Sequence, residues 1–380
     1  MRSFVFITKN THLGGAELSV LALMKSLKAA GARVFLITSQ PGALHNKFEQ
    51  VADAITLAPL PYPRKPLSWL GIPLLVLRVL QFRSKLSPSL ECIANDFYET
   101  YACSLIARLL GARRTVGFWQ SSYSFDSGKD LAKWQRYGAN SLGTRLASYP
   151  VAQHINEVCG VADWVTPFNP FVDDTLFDPA CYNREKIRNT LGWSHQHVGI
   201  IVARVGSSKG QIRIAKLFMQ AAVEVFRCPN LLLCIVGPAD PTDKIELSAM
   251  EEASGGRVTY LGPRGDIPEL LAASDVALFP GTIPESFGLS LMEALLMELP
   301  VLALKNPGAV EILLSNQPEA VCASLEDMMQ KWQALALAPP EAFPLSNRVP
   351  IVDHYGCAAY QAQIINFLNQ TYRHLEKTVA

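Results

Sequence analysis

The run SFVFIT (Ser3–Thr8) is β-branched and aromatic and of strand length. The stretch after it, AELSVLALMKSLKAAG (Ala16–Gly31), carries apolar residues at helical spacing and ends on a glycine suited to close a helix. ARVFLIT (Ala32–Thr38) is again a strand, and LECIAND (Leu90–Asp96) and RRTVGFW (Arg113–Trp119) continue the series. Strands that alternate with helices demand right-handed crossovers and a parallel sheet, which leaves an α/β architecture and little else.

The alternation then starts afresh. VTPFNPFVDDTLFDP (Val165–Pro179), rich in Pro, Asp and Phe, reads as a linker. Beyond it lie VGIIVARV (Val198–Val205), NLLLCIVG (Asn230–Gly237), RVTYLG (Arg257–Gly262), DVALFP (Asp275–Pro280) and LPVLAL (Leu299–Leu304), each followed by a helical pattern. The 380 residues suit two units of roughly 150 residues each. The tail YGCAAYQAQIINFLNQTYRHL (Tyr355–Leu375) is a long helix outside the alternation. Two doubly wound sheets bind ligands at the carboxyl ends of their strands, so a cleft between facing sheets is expected, with the motifs just after strands.

A net charge of +1 gives no electrostatic footprint for nucleic acid. The eight cysteines form no CxxC pair or repeated spacing, which points to reduced, buried thiols in a cytosolic protein. MRSFVFITKN reads as a first strand and not as a signal peptide. PLSWLGIPLLVLRVLQF (Pro66–Phe82) is apolar for 17 residues, is interrupted by Pro73 and Arg78, and is flanked by Arg64, Lys65, Arg83 and Lys85. It is either a helix with a wide buried face or one that also presses on an anionic membrane surface.

Three motifs carry chemistry. THLGGAE (Thr11–Glu17) follows the first strand and opens the first helix. Its glycines either form a plain strand–helix turn or let backbone N–H groups approach a phosphate at a helix N-terminus, and His12 and Glu17 are loop caps or ligands. It is not GxGxxG, so a dinucleotide fold is unsupported. ARVGSSKG (Ala203–Gly210) sets Arg204 and Lys209 across a short Gly/Ser loop, where a guanidinium and an ammonium suit a diphosphate. PESFGLSLME (Pro284–Glu293) places Glu285 before a glycine turn and Glu293 on the second turn of the helix that follows, on the face of Leu289. The N–H groups near Gly288 and Leu289 make an anion site with one carboxylate at each end, a shape matching ribose, diphosphate and hexose. The plain alternative is a solvated Glu285 and a Glu293 favoured by the helix dipole.

PESFGLSLMEALLMELPVLALKNPGAVEIL closely resembles the signature of the retaining GT-B glycosyltransferases of family 4, the glycosyl transferases group 1. GGAE, ARVGSSKG, FNPFVDDTLF and YLGPRGDIPELLAASDVALFP match further landmarks of that family in order, over nearly the whole chain. The resemblance implies two Rossmann-like domains with parallel sheets facing a central cleft. Residues 1–170, joined by a crossover helix at 355–380, would bind the acceptor, and residues 171–354 the nucleotide sugar. It implies that Gly14 and Gly15 line the diphosphate side and that Arg204 and Lys209 bind the two phosphates. Glu285, with Ser286 and Phe287 in its turn, would hold donor-sugar hydroxyls. Gly288 and Leu289 would give N–H groups to phosphate, Glu293 would bind the ribose, and Gly262, Pro263 and Arg264 would lie near the base. Glu285, Arg204 and Lys209 would carry catalysis.

The chain departs from the family pattern at TVGFWQSSYSF (Thr115–Phe125), where a histidine is common and Trp119 and Gln120 stand instead. NPF replaces NG before Val172, and Glu298 stands where glycine is common. His12, Asn95, Asp96, Trp119 and Gln120 are candidate acceptor contacts. Asp173 and Asp174 look like a metal-binding pair but sit at the linker, and His195 and His197 lack partners for zinc.

The expectation is a cytosolic hexosyltransferase, peripheral at the membrane if 66–82 touches it, using a UDP- or GDP-linked sugar with no cofactor or metal. Its acceptor would be a sugar or a lipid-linked sugar, as in assembly of surface polysaccharide, lipopolysaccharide or glycolipid. A nucleotide-sugar epimerase of the same fold and an inactive sugar-nucleotide-binding subunit are the alternatives.

Overall fold

The computed structural model describes residues 2–61, 66–96, 99–119, 144–160, 165–224, 230–282, 287–305, 313, 317–338 and 348–376. The chain divides into two compact units, one of Met1–Phe171 with Tyr360–Ala380 and the other of Val172–Ala359.

The described strands of the first unit are β1 (Ser3–Asn10), β2 (Arg33–Gln40), β3 (Ala54–Leu57), β4 (Leu90–Asn95), β5 (Arg114–Trp119), β6 (Thr144–Ala147) and β7 (Thr166–Pro167). They form one parallel sheet in the order β3-β2-β1-β4-β5-β6-β7. Alternation along β1 sends Phe4 and Phe6 to one face, with Leu23, Leu27, Phe48 and Phe367, and Val5 and Ile7 to the other, with Leu75, Val79 and Ile106. Burial on both faces is why these strands read as unbroken apolar runs.

The second unit has β8 (His197–Val202), β9 (Leu231–Val236), β10 (Val258–Gly262), β11 (Val276–Phe279), β12 (Val301–Leu304) and β13 (Val321–Cys322). All pair in parallel, in the order β10-β9-β8-β11-β12-β13. Val198 and Ile200 face one core with Leu291, Leu295 and Leu296, while Leu233 and Ile235 face another with Phe218 and Trp332. Each such buried side chain contributes about 1.5–3 kcal/mol, so both sheets are held from two sides.

In each sheet the strand order reverses next to the first strand, between β1 and β4 and between β8 and β11. Connections leave in opposite directions at such a point, which opens a crevice outside the carboxyl ends of the strands.

The long helix expected over Tyr355–Leu375 is present as Cys357–Glu376, and a shorter helix precedes it. Arg348–Tyr355 and Cys357–Glu376 are separate helices meeting at Gly356. A Cβ at Gly356 would stand 2.7 Å from the Val352 carbonyl and 3.0 Å from the Asp174 carboxyl carbon, and Asp174 accepts from the Cys357 N–H at 2.7 Å. Asp173 accepts from the Thr175 and Leu176 N–H groups, so both aspartates shape the linker and its partner helices. Within the first unit Tyr360, Ile364 and Phe367 are buried beside Phe168, and Arg2 donates to the Leu368 carbonyl while pairing with Glu91, which Arg114 also approaches. A carboxylate buried between two guanidinium groups fixes this end of the helix against β4 and β5.

Candidate active site

The loop after β8 and the loop after β11 flank the reversal point of the second sheet. They are tied together through backbone: the Thr282 N–H donates to the Ser208 carbonyl at 3.1 Å. Gly210 lies at φ +77°, and a Cβ there would stand 2.2 Å from the Pro280 carbonyl oxygen. Both the left-handed backbone and the close approach exclude any other residue, which accounts for the glycine that ends ARVGSSKG. Gln211, fully buried, donates to the Arg204 carbonyl at 3.0 Å and so fixes the loop from below. The Arg204 side chain is exposed and forms no ion pair among the described residues, and Lys209 is half-buried in the same loop. The helix Gln211–Glu224 begins directly after it and adds the partial positive charge of its N-terminus. The region is therefore a positively polarised crevice rim built on rigid backbone.

Across the reversal point Phe287 is buried edge-on against Tyr355, with ring centroids 5.3 Å apart. It anchors the turn into the helix Leu289–Leu296, whose N-cap is Gly288 at φ +80°. No side chain caps this helix, so its first N–H groups are left for another acceptor. Leu289 is half-buried at its start. Glu293, one turn in, is half-buried, and burial pushes its carboxyl up to about 8. No described side chain donates to it. A carboxyl desolvated without a charged partner is matched to hydroxyl groups brought by a ligand. Gly262 ends β10, and its carbonyl accepts from the Gly237 N–H at 2.8 Å. Pro263 follows it, and the guanidinium of Arg264 is engaged by Asp266 at 2.8 Å.

In the first unit the reversal point lies between the Thr11–Gly14 loop and the turn after Asn95. Thr11 is buried; its Oγ1 accepts from the Gly42 N–H at 2.8 Å and its carbonyl from the Leu44 N–H at 2.9 Å. The exposed His12 donates its N–H to Asn10 Oδ1 at 3.1 Å, and Gly14 caps the helix Gly15–Ala29 in an extended conformation. Asn95 is buried and donates to Thr8 Oγ1 at 3.0 Å, so it ties β4 to β1. Asp96 adopts φ 73°, in the left-handed region, with its N–H on the Phe118 carbonyl at 2.7 Å. Trp119 is fully buried at the end of β5. Gln120, Glu285 and Ser286 lie outside the described residues.

Two participants have no sequence signal of their own. Glu99 is buried just before the helix Thr100–Leu110, and burial, with Asp96 next in size, pushes its carboxyl up to about 8. Gln211 matters through its hydrogen bond to the Arg204 carbonyl. Only a carboxylate or amide placed soon after a strand hints at either. His197 is a strand residue, whose Nδ1 accepts from Trp332 Nε1 at 3.1 Å.

The two units have the GT-B fold. The crystal structure of Anabaena HepE with UDP and glucose superposes with a TM-score of 0.77 at 20% identity, covering 97% of this chain and all of that one. Sucrose-phosphate synthase from Thermosynechococcus elongatus gives 0.74 at 18% identity over the whole of both chains. WaaG, a glycosyltransferase involved in lipopolysaccharide biosynthesis, gives 0.65 at 16% over 96% of this chain and 98% of that one. Residues 183–336, less than half of the chain, match the family model of glycosyl transferases group 1. The glycosyltransferase 1 domain-containing protein 1 of Xenopus tropicalis is 26% identical over 156 residues, 40% of this chain and 43% of that relative, so the match spans less than half of it.

Proposed function

We propose that the protein transfers a hexosyl group from a nucleotide diphosphate sugar to an acceptor hydroxyl with retention at the anomeric carbon. The observation that carries this reading is the reversal point of the second sheet. There Arg204 and Lys209 stand on the loop after β8, the uncapped helix N-terminus and Glu293 stand on the segment after β11, and the two loops are joined through backbone. Arg204 and Lys209 take the diphosphate, the N–H groups at Gly288 and Leu289 add to them, and Glu293 takes the ribose hydroxyls. HepE was crystallised with UDP and glucose, which favours a UDP-linked hexose over a GDP-linked one.

In the transfer step the bond from the anomeric carbon to the diphosphate oxygen breaks, and its electron pair stays on the diphosphate. The acceptor oxygen bonds to the anomeric carbon on the face the diphosphate leaves, and its proton passes to the departing phosphate oxygen. Arg204, Lys209 and the helix terminus stabilise the charge that grows on the diphosphate. Glu285 holds the sugar as it becomes oxocarbenium-like. This donor side needs no metal, since fixed cations and N–H groups supply the field. Chelation with EDTA therefore leaves transfer at its original rate. Loss of activity on chelation, restored by a divalent ion, counts against this arrangement.

A donor panel read by thermal shift tests the reading, because bound ligand raises the melting temperature by mass action. A UDP- or GDP-sugar raises it, and free nucleotide diphosphate then accumulates only with acceptor present. Release of nucleotide without acceptor indicates the epimerase alternative. Binding without any turnover indicates an inactive sugar-nucleotide-binding subunit.

A further inference from the structure

A cluster of exposed leucines stands out from the polar surface of the first unit. The 3-10 turn Pro66–Gly71 and the helix Ile72–Arg83 bury Leu75 and Val79 in the core beside β1 and the helix Thr100–Leu110. Leu67, Leu70 and Leu77 are 80%, 78% and 55% exposed, and Leu74, Leu80 and Trp69 are exposed with them. At 100° per residue Leu74, Leu77 and Leu80 share the arc opposite Leu75 and Val79, and Arg78 lies at its margin. A contiguous apolar surface of this kind marks an interaction site and not ordinary solvent-facing scatter.

Charge selects the occupant. From Ala54 to Leu90 the chain has no Asp or Glu, yet carries Arg64, Lys65, Arg78, Arg83 and Lys85. Arg64 and Lys65 lie outside the described residues. Arg78, Arg83 and Lys85 are exposed, and none forms an ion pair among the described residues. Two copies of this face paired about a twofold axis would bring like charges together. Leucines rimmed by cations, with a Trp at their edge, match the interface of an anionic bilayer: the leucines enter the acyl boundary and the cations meet phosphate headgroups. No described helix is long and apolar enough to cross a membrane, so the contact is superficial.

We propose that the surface formed by Leu67, Leu70, Leu74, Leu77 and Leu80 with Arg78, Arg83 and Lys85 docks this protein on an anionic lipid surface. The inference rests on this surface alone and does not depend on the transfer reading.

Vesicle flotation of the full chain, with no nucleotide present, tests it. The wild type floats with phosphatidylglycerol vesicles at low salt, is released at high salt, and ignores phosphatidylcholine vesicles. Arg78→Gln/Arg83→Gln/Lys85→Gln weakens partitioning on the order of a hundredfold. Leu67→Gln/Leu70→Gln/Leu77→Gln weakens it at least as much, and urea midpoints of both variants stay at the wild-type value because the replaced side chains are already in water. Three results overturn the proposal. They are a wild type that ignores phosphatidylglycerol, variants that float as the wild type does, and a wild-type dimer in sedimentation equilibrium that the leucine variant dissociates. The last would make a second copy of the chain the occupant.

Discussion

Lys209→Ala and Arg204→Ala each weaken binding of the nucleotide diphosphate by on the order of ten- to a hundredfold, and leave binding of the bare nucleoside within about twofold. The asymmetry follows from position. Both side chains rise from the loop after β8, whose backbone is held by Gln211 below and by Pro280 and Thr282 beside it. Removing a side chain there takes away charge without moving the loop. The double variant loses more than either single one, with the losses short of additive, because the two cations share one dianionic group. Transfer slows further than binding does, since charge on the diphosphate grows in the transition state. Calorimetric titration with UDP and with uridine reads the difference directly. Equal loss for both ligands removes the diphosphate from this loop.

Nucleotide binding at neutral pH expels a proton from Glu293. In the free protein burial pushes this carboxyl up to about 8, so at pH 7 it is mostly neutral. Ribose hydroxyls that donate to it favour the carboxylate, which lowers its value in the complex. Affinity for the nucleotide therefore rises with pH up to about 8, by as much as about tenfold per unit where one full proton is released. Glu293→Gln has no such proton and loses that part of the slope; the part from the diphosphate itself remains in both proteins. Stability of the free protein carries the opposite sign. The folded state holds the proton more tightly than the unfolded chain, so the contribution is complete below the ordinary value of 4.5 and is lost as pH rises to about 8. Glu99 adds a loss of the same sign in the first unit. Titrations in two buffers of different ionisation heat count the proton. A wild type and a Glu293→Gln variant that release equal numbers contradict the assignment.

The central strands were legible because they are buried on both faces, and apolar runs such as LLLCIV of β9 admit no other reading. The edges were not. The edge strands β3, β7 and β13 are two to four residues long, and β7 lies inside the stretch that reads as a linker. A strand that pairs on one side only needs no continuous apolar run. Glu298, conspicuous because glycine is common there, adopts φ 55° where the helix Leu289–Leu296 ends, so its unusual identity marked a real left-handed position. Arg204, Lys209 and Glu293 were legible as residues that follow β8 and β11, because both strands are apolar runs. Glu99 and Gln211 were not, since their importance arises from what they are buried against.

The two glutamates of PESFGLSLME decide the account. Calorimetric titration of Glu285→Gln and Glu293→Gln with bare UDP and with a UDP-hexose separates the two ends of the donor. Glu293→Gln weakens both ligands alike, by about 1–3 kcal/mol, the worth of a hydrogen bond to a charged group. Glu285→Gln leaves UDP affinity unchanged, removes the extra affinity conferred by the hexose, and slows transfer. Loss of bare UDP binding in Glu285→Gln as severe as in Glu293→Gln would mean that the carboxylates do not hold opposite ends of a nucleotide sugar.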